Sequence, residues 1–149
     1  MARLPGFITL LVLFSLPVMS QTVIHVNQVA YDSRAPKMAV VASDGPLPAA
    51  LPFTLVKADG SAAYEGRLCK GEQVQDWFPG KYYYRADFSA FRAAGVFRVA
   101  VTVKGATHVS PAFEIGEDAL ALTAVPAILH FYKGQRANTP EEEDADKQV

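Results

Sequence analysis

The stretch that most constrains the fold runs from residue 96 to residue 104, where hydrophobic residues alternate with smaller or polar ones. Because side chains of a β-strand point alternately to its two sides, one face would carry only hydrophobic groups. These are Phe97, Val99, Val101 and Val103. A strand of this kind buries its hydrophobic face, so the chain is expected to form a packed β-core.

Six further runs of β-type residues are separated by turn signals rich in Gly, Pro, Asp and Ser. They are residues 22–27, 38–43, 53–57, 63–68, 82–86 and 108–115. About seven short strands in fewer than a hundred residues predict an all-β fold, specifically an immunoglobulin-like β-sandwich. Cys69 is the only cysteine, so packing rather than an intrachain disulfide must hold the two sheets together.

The first twenty residues have the pattern of a secretory signal peptide. Arg3 precedes an apolar run from Phe7 to Leu16, Pro17 ends it, and cleavage is expected before Gln21. The apolar run is shorter than the ~20 residues that a membrane-spanning helix needs. The protein is therefore predicted to be secreted or periplasmic, with no membrane association after signal cleavage.

Residues 119–136 have a helical composition, with Glu117 or Asp118 as the expected start. Pro126 lies either in the first turn of a helix capped by Thr123 or inside a longer, kinked helix. The apolar residues cover most of the helix circumference. They are Leu120, Ala121, Leu122, Val125, Ile128, Leu129, Phe131 and Tyr132. Such a helix requires neighbours on several sides, which a small sandwich cannot supply.

These patterns divide the chain into a signal peptide at 1–20, a sandwich at 21–116, and a helix and loop of an incomplete domain at 117–149. The sequence is accordingly expected to be cut short. The acidic run from Glu141 to Asp146 lacks the spacing of a calcium loop and is expected to be solvated.

Composition and residue spacing exclude several classes of function. The net charge of −1 and the absence of a basic patch argue against a nucleic-acid partner. Cys69 has no histidine near it in sequence, and His25, His108 and His130 are scattered singly. No catalytic residue, metal site or cofactor is predicted from these residues.

The aromatic cluster of Trp77, Phe78, Tyr82, Tyr83 and Tyr84 remains a candidate for ligand contact. Trp77, Tyr82 and Tyr84 are the residues expected to stack on sugar rings, since an aromatic side chain offers a flat apolar body. The alternative is that alternate tyrosines of this segment fill the sandwich core while the others lie at its boundary.

Several motifs resemble, in order and spacing, the immunoglobulin-like domain that precedes many glycoside hydrolase family 9 catalytic domains. They are NQVAY at 27–31, APK at 35–37, ADFSAF at 86–91, GVFRV at 95–99, FEIG at 113–116 and FYKGQR at 131–136. The first two form a strand, a corner and a strand, in which the amides of Asn27 and Gln28 are expected to pin the corner backbone. Ala30 departs from the glycine common among relatives.

The resemblance implies a parent enzyme of the cellulase and endoglucanase group. Residues 117–149, a first helix and loop, would begin its (α/α)₆ barrel. Such enzymes invert configuration with two carboxyl groups roughly 6.5–9.5 Å apart. Neither carboxyl position falls within this chain, so it is expected to be inactive alone. Its partners would be the catalytic barrel and a β-glucan. Two alternatives stay open: a carbohydrate-binding module and a free-standing secreted interaction domain.

Overall fold

The strands of this protein are short and pair into two facing sheets. A computed structural model describes residues 21–135, so the signal-peptide prediction and the acidic run lie outside the described residues. The elements are β1 Thr22–His25, β2 Tyr31–Asp32, β3 Met38–Ser43, β4 Pro52–Lys57, β5 Ala62–Arg67, β6 Tyr82–Asp87, β7 Gly95–Val103, β8 Ala106–Val109, β9 Phe113–Gly116 and α1 Ala119–Gly134.

One sheet has three antiparallel strands in the order β1-β3-β6. The other has six strands in the order β2-β9-β7-β4-β5, with β8 also paired to β7. The nine-residue β7 is the centre of this sheet. It pairs with β4 along one edge, and along its other edge with β9 at its start and with β8 at its end.

The core lies between the two sheets. The alternation predicted for β7 is confirmed, because Phe97, Val99 and Val101 are buried while Arg98 and Thr102 are exposed. The three-stranded sheet contributes a facing layer of buried side chains. These include Ile24, Ala39, Val41, Tyr84 and Ala86. The predicted immunoglobulin-like sandwich is therefore confirmed.

The strand count differs from the expected seven for two local reasons. The run at 108–115 splits at Ser110, whose hydroxyl accepts the N–H of Val99 at 2.9 Å, and at Pro111, which has no N–H to donate to a ladder. The two-residue β2 lies inside the corner that follows β1. It pairs in parallel with the end of β9, a long-range contact that local alternation does not reveal.

Tyr31 fixes the two sides of this corner. Its hydroxyl accepts the backbone N–H of Asn27 and donates to the carbonyl of Met38, each at 2.8 Å. Burial raises the pKa of Tyr31, so the hydroxyl keeps the proton that it donates. The side chain of Asn27 accepts the N–H of Val29 at 2.9 Å. The prediction that an amide pins the corner is thus confirmed for Asn27.

Lys37 is fully buried, which is unusual for a lysine. Its ammonium donates to the carbonyl oxygens of Asp32, Ser33 and Ala35 at 3.3, 2.8 and 2.9 Å. The carbonyl of Ser89 lies at 3.5 Å. Burial lowers the pKa of this ammonium, and nearby Arg92 lowers it further, while the carboxylates of Asp87 and Asp32 oppose both effects. The corner backbone therefore wraps around a buried cation.

The helix α1 starts directly beside this corner. Asp118 precedes it with a left-handed backbone, φ 53°, and its side chain makes no capping hydrogen bond. The carboxylate of Asp32 instead accepts the N–H of Leu120 at 3.4 Å. Pro126 lies inside the sixteen-residue helix rather than in the first turn of a helix capped by Thr123.

Beyond its first turn, α1 projects its hydrophobic side chains into solvent. Ala119 is the one buried residue among its described positions. Leu122 is 71% exposed and Phe131 is 62% exposed. None of the helices among residues 21–135 is both long enough and apolar enough to cross a membrane. The predicted wide apolar surface of the helix is present and lacks a covering layer in the described part of the chain.

We expect Lys37→Met to lower the free energy of unfolding by about 2–4 kcal/mol, because it leaves several carbonyl oxygens of the corner without a donor. Urea denaturation of the purified chain, followed by circular dichroism, measures this loss. Lys57→Met is the matched control, since Lys57 is exposed and its substitution should change stability by less than about 0.5 kcal/mol. Equal stability of the two variants would contradict the role assigned to Lys37.

Candidate functional site

The segment between β5 and β6 runs back along the edge of the three-stranded sheet. Glu72 and Tyr83 exchange two backbone hydrogen bonds of 2.8 and 3.0 Å. The N–H of Cys69 donates to the carbonyl of Arg85 at 2.9 Å. This pairing fixes the start of the segment against β6. Trp77 and Phe78, further along the segment, then lie beside the outer face of the sheet.

A groove of about 370 Å³ separates these two aromatic residues from the sheet. Its floor consists of outward-facing side chains of β1 and β3, and its wall of side chains from the segment and from β6. The lining residues are Val23, His25, Val40, Ala42, Trp77, Phe78, Lys81 and Tyr83. The groove is thus mainly apolar, with polar atoms contributed by His25, Lys81 and Tyr83.

Two aromatic side chains of the groove, Trp77 and Phe78, keep most of their surface free. Trp77 is 66% exposed and Phe78 is 64% exposed. The Trp77 ring contacts the Tyr83 ring at a centroid distance of 5.3 Å and an interplanar angle of 51°. Tyr83 therefore supports Trp77 from one side and leaves much of the indole open to a ligand.

The one lysine or arginine among the described lining residues is already partnered. Lys81 Nζ lies 3.6 Å from a carboxylate oxygen of Asp44. The same ammonium lies 5.5 Å from the centroid of the Phe78 ring, within cation–π range. These contacts hold Lys81 at the rim and offset its charge.

The structure separates the three residues predicted to contact carbohydrate. Trp77 lines the groove, but Tyr84 is only 4% exposed and its hydroxyl accepts the N–H of Leu47 at 2.6 Å. Tyr82 is half-buried and lies beside Tyr84 in a different depression. Tyr83, between them on β6, faces the opposite side of the sheet and joins Trp77.

Sequence reasoning included Phe78 and Tyr83 in the aromatic cluster but did not select them as contact residues, and it assigned no ligand role to His25. Strand parity supplied a usable signal: in β6, residues 82 and 84 share one face and residue 83 has the other. His25 could be placed only through the pairing of β1 with β3, which sets it opposite Val40. Within residues 21–135, no group of three or more His, Cys, Asp or Glu side chains could hold a metal ion.

Comparison with protein-family models places residues 19–106 in the family described as the cellulase N-terminal immunoglobulin-like domain. The chain belongs to this family. Since the match covers most of the sandwich, it agrees with the resemblance carried by the corner motif and by β7. A search of curated protein sequences found no match.

Solved structures give a consistent result. A metagenome-derived glycoside hydrolase family 9 endoglucanase is 35% identical over 64% of this chain, with a TM-score of 0.51. A Bacteroides ovatus family 9 glycoside hydrolase is 26% identical over 73%, with a TM-score of 0.52. AaCel9A, solved with a cellobiose-like isofagomine, is 23% identical over 76% with a TM-score of 0.56, which supports the fold alone.

This chain spans only 18% of the length of each of these three proteins. The similarity therefore concerns the immunoglobulin-like domain and its immediate surroundings. One of the predicted partners is a catalytic domain. This prediction agrees with the solved structures, because they are glycoside hydrolases much longer than the matched region.

We expect Gly71→Ala to disturb the base of the aromatic segment, because a Cβ at this position would overlap the ring of the buried Tyr84. Overpacking of this kind costs about 1–3 kcal/mol of unfolding free energy. Gly45→Ala is the control: a Cβ there meets nothing within 4 Å. Thermal and urea unfolding of the two variants would measure the difference, and a neutral Gly71→Ala would contradict the tight packing described.

Proposed function

We propose that this chain is the N-terminal part of a secreted family 9 glycoside hydrolase that cleaves β-1,4-glucan in polysaccharide catabolism. In this proposal, residues 1–20 direct export and residues 21–116 form the immunoglobulin-like domain. Residues 117–149 begin the catalytic barrel. The domain itself has a structural role, which is to pack against the barrel and stabilise it.

The exposed hydrophobic surface of α1 carries this proposal. Leu122, Val125, Leu129 and Tyr132 are each between 47% and 71% exposed on a helix that contacts the sandwich mainly at its first turn. A contiguous apolar surface of this kind normally marks a site of further packing. Additional helices of a barrel would cover the several faces that the sandwich leaves open.

The attachment of α1 supports the same role, because several contacts hold the start of the helix to the corner. The N–H of Ser33 donates to the carbonyl of Gly116 at 2.9 Å. Arg34 and Glu117 form an exposed ion pair at 3.2 Å, which adds little energy but lies at the same junction. A helix anchored at its origin would give the barrel a defined direction relative to the sandwich.

The substrate class is inferred from the similarity to an endoglucanase. The neighbour that is 35% identical is a family 9 endoglucanase. Inversion at the anomeric carbon requires a carboxylate that activates water and a carboxylic acid that protonates the leaving oxygen. We assign neither role to a residue of this chain and place both in the remainder of the parent enzyme.

We expect Leu129→Ala to have different effects in two lengths of the protein. In the chain of residues 21–149 the side chain is exposed, so unfolding of the sandwich should change by less than about 0.5 kcal/mol. In a parent extended through the barrel, the same truncation should cost about 2–5 kcal/mol because the side chain is buried. Denaturation curves of the four proteins measure this; an equally small effect in both lengths would favour a free-standing interaction domain.

We also expect purified residues 21–149 to release no reducing sugar from cello-oligosaccharides or cellulose, whereas the extended parent does so. The physical reason is that the pair of carboxyl groups required for inversion lies in the barrel. Hydrolysis above that of a buffer control by the short chain would contradict the assignment.

A further inference from the structure

The groove beneath Trp77 and Phe78 lies apart from the helix and has no part in the role proposed above. Its floor is formed by β1 and β3 of the three-stranded sheet, whereas the main contacts of α1 are with β2 and β9 of the other sheet. We propose that this groove binds a neutral β-1,4-glucan chain. The choice of glucan among neutral polysaccharides rests on the proposed function.

The aromatic surface is the first argument for a sugar ligand. Trp77 and Phe78 are neighbours in sequence and both remain about two-thirds exposed, although burial of such rings is normally favourable. Every hydroxyl of a β-1,4-glucan is equatorial, so the two faces of each sugar ring present mainly C–H groups. These faces match the flat, apolar faces of exposed aromatic side chains.

The polar atoms of the groove provide the second argument. His25 and Tyr83 offer a ring nitrogen and a phenolic hydroxyl beside the aromatic surface. Groups of this type exchange hydrogen bonds with sugar hydroxyls while the adjacent rings cover the C–H faces. A mainly apolar groove with a few polar groups is the usual composition of a small-molecule site, and its volume lies within the range of about 300–1,000 Å³.

Charge provides the third argument, since it selects a neutral ligand. The carboxylate of Asp44 and the face of the Phe78 ring already engage the ammonium of Lys81. An acidic polysaccharide or an anionic peptide would therefore gain little from the groove. The contacts of Lys81 with Asp44 and Phe78 also hold the Phe78 ring at the rim of the groove. A ring that is already in place favours binding, because less ordering is needed when the ligand arrives.

The experiment uses Trp77 as its own reporter, because it is the only tryptophan in the chain. We expect cellohexaose to change the intrinsic fluorescence of residues 21–149 in a saturable manner, and maltohexaose at equal concentrations to have no such effect. Isothermal titration calorimetry measures the affinity independently, and it also applies to variants that lack the indole.

Trp77→Ala and Phe78→Ala are expected to weaken cellohexaose binding by at least about fivefold, the loss typical of truncating a central aromatic contact. The matched control is Phe131→Ala on α1, where a phenylalanine of similar exposure lies outside the groove; its affinity should equal that of the unmodified chain. Circular dichroism checks that all three variants fold, as expected for exposed side chains.

Three results would overturn the proposal. The first is the absence of cellohexaose binding by both methods, and the second is an equal loss of affinity in Phe131→Ala and Trp77→Ala. The third is a change in Trp77 fluorescence that appears with the extended parent or at high chain concentration, but not on addition of the sugar. Such a change would assign the groove to a protein interface. None of these results alters the Leu129→Ala comparison, so failure of the glucan site and failure of the proposed function are distinguishable.

Discussion

A buried ammonium surrounded by backbone oxygens is the interaction on which the rest of this structure depends. Removing a lysine from water is costly unless its charge is matched by several acceptors. The ammonium of Lys37 has carbonyl acceptors from Asp32, Ser33, Ala35 and Ser89. A rearrangement of this backbone would therefore leave the buried charge without hydrogen-bond partners. The N–H of Lys37 also donates to the Ser89 hydroxyl, which ties β3 to the end of β6.

The corner held in this way connects both sheets with the helix. It begins after β1 in the three-stranded sheet and places β2 beside β9 in the other sheet. Asp32 and Ser33, whose carbonyls face the ammonium, also bond to Leu120 and Gly116 through their other polar groups. The same few residues therefore determine the shape of the corner and the point from which α1 departs.

Local alternation and turn residues predicted most of the sandwich, since a strand with one buried face must show that pattern. They could not reveal that Lys37 is buried, because lysine is normally exposed and its acceptors come from the backbone. The aromatic segment shows the same limit. The sequence singled out Trp77, which lines the groove, but whether Tyr83 or Tyr84 lies beside it depends on the register of β6 against β3. The wide apolar surface of α1 could be predicted from the sequence, because it follows from helical periodicity alone.

The parallel pairing of β2 with β9 also has a consequence for the order in which the chain folds. The contact between Asp32 and Leu120 joins residues 88 positions apart. Closing so large a loop is entropically costly and therefore tends to follow the formation of local hairpins. During synthesis the corner thus stays incomplete until residues 113–120 have left the ribosome. The helix α1 therefore emerges beside a sandwich whose corner has only just closed.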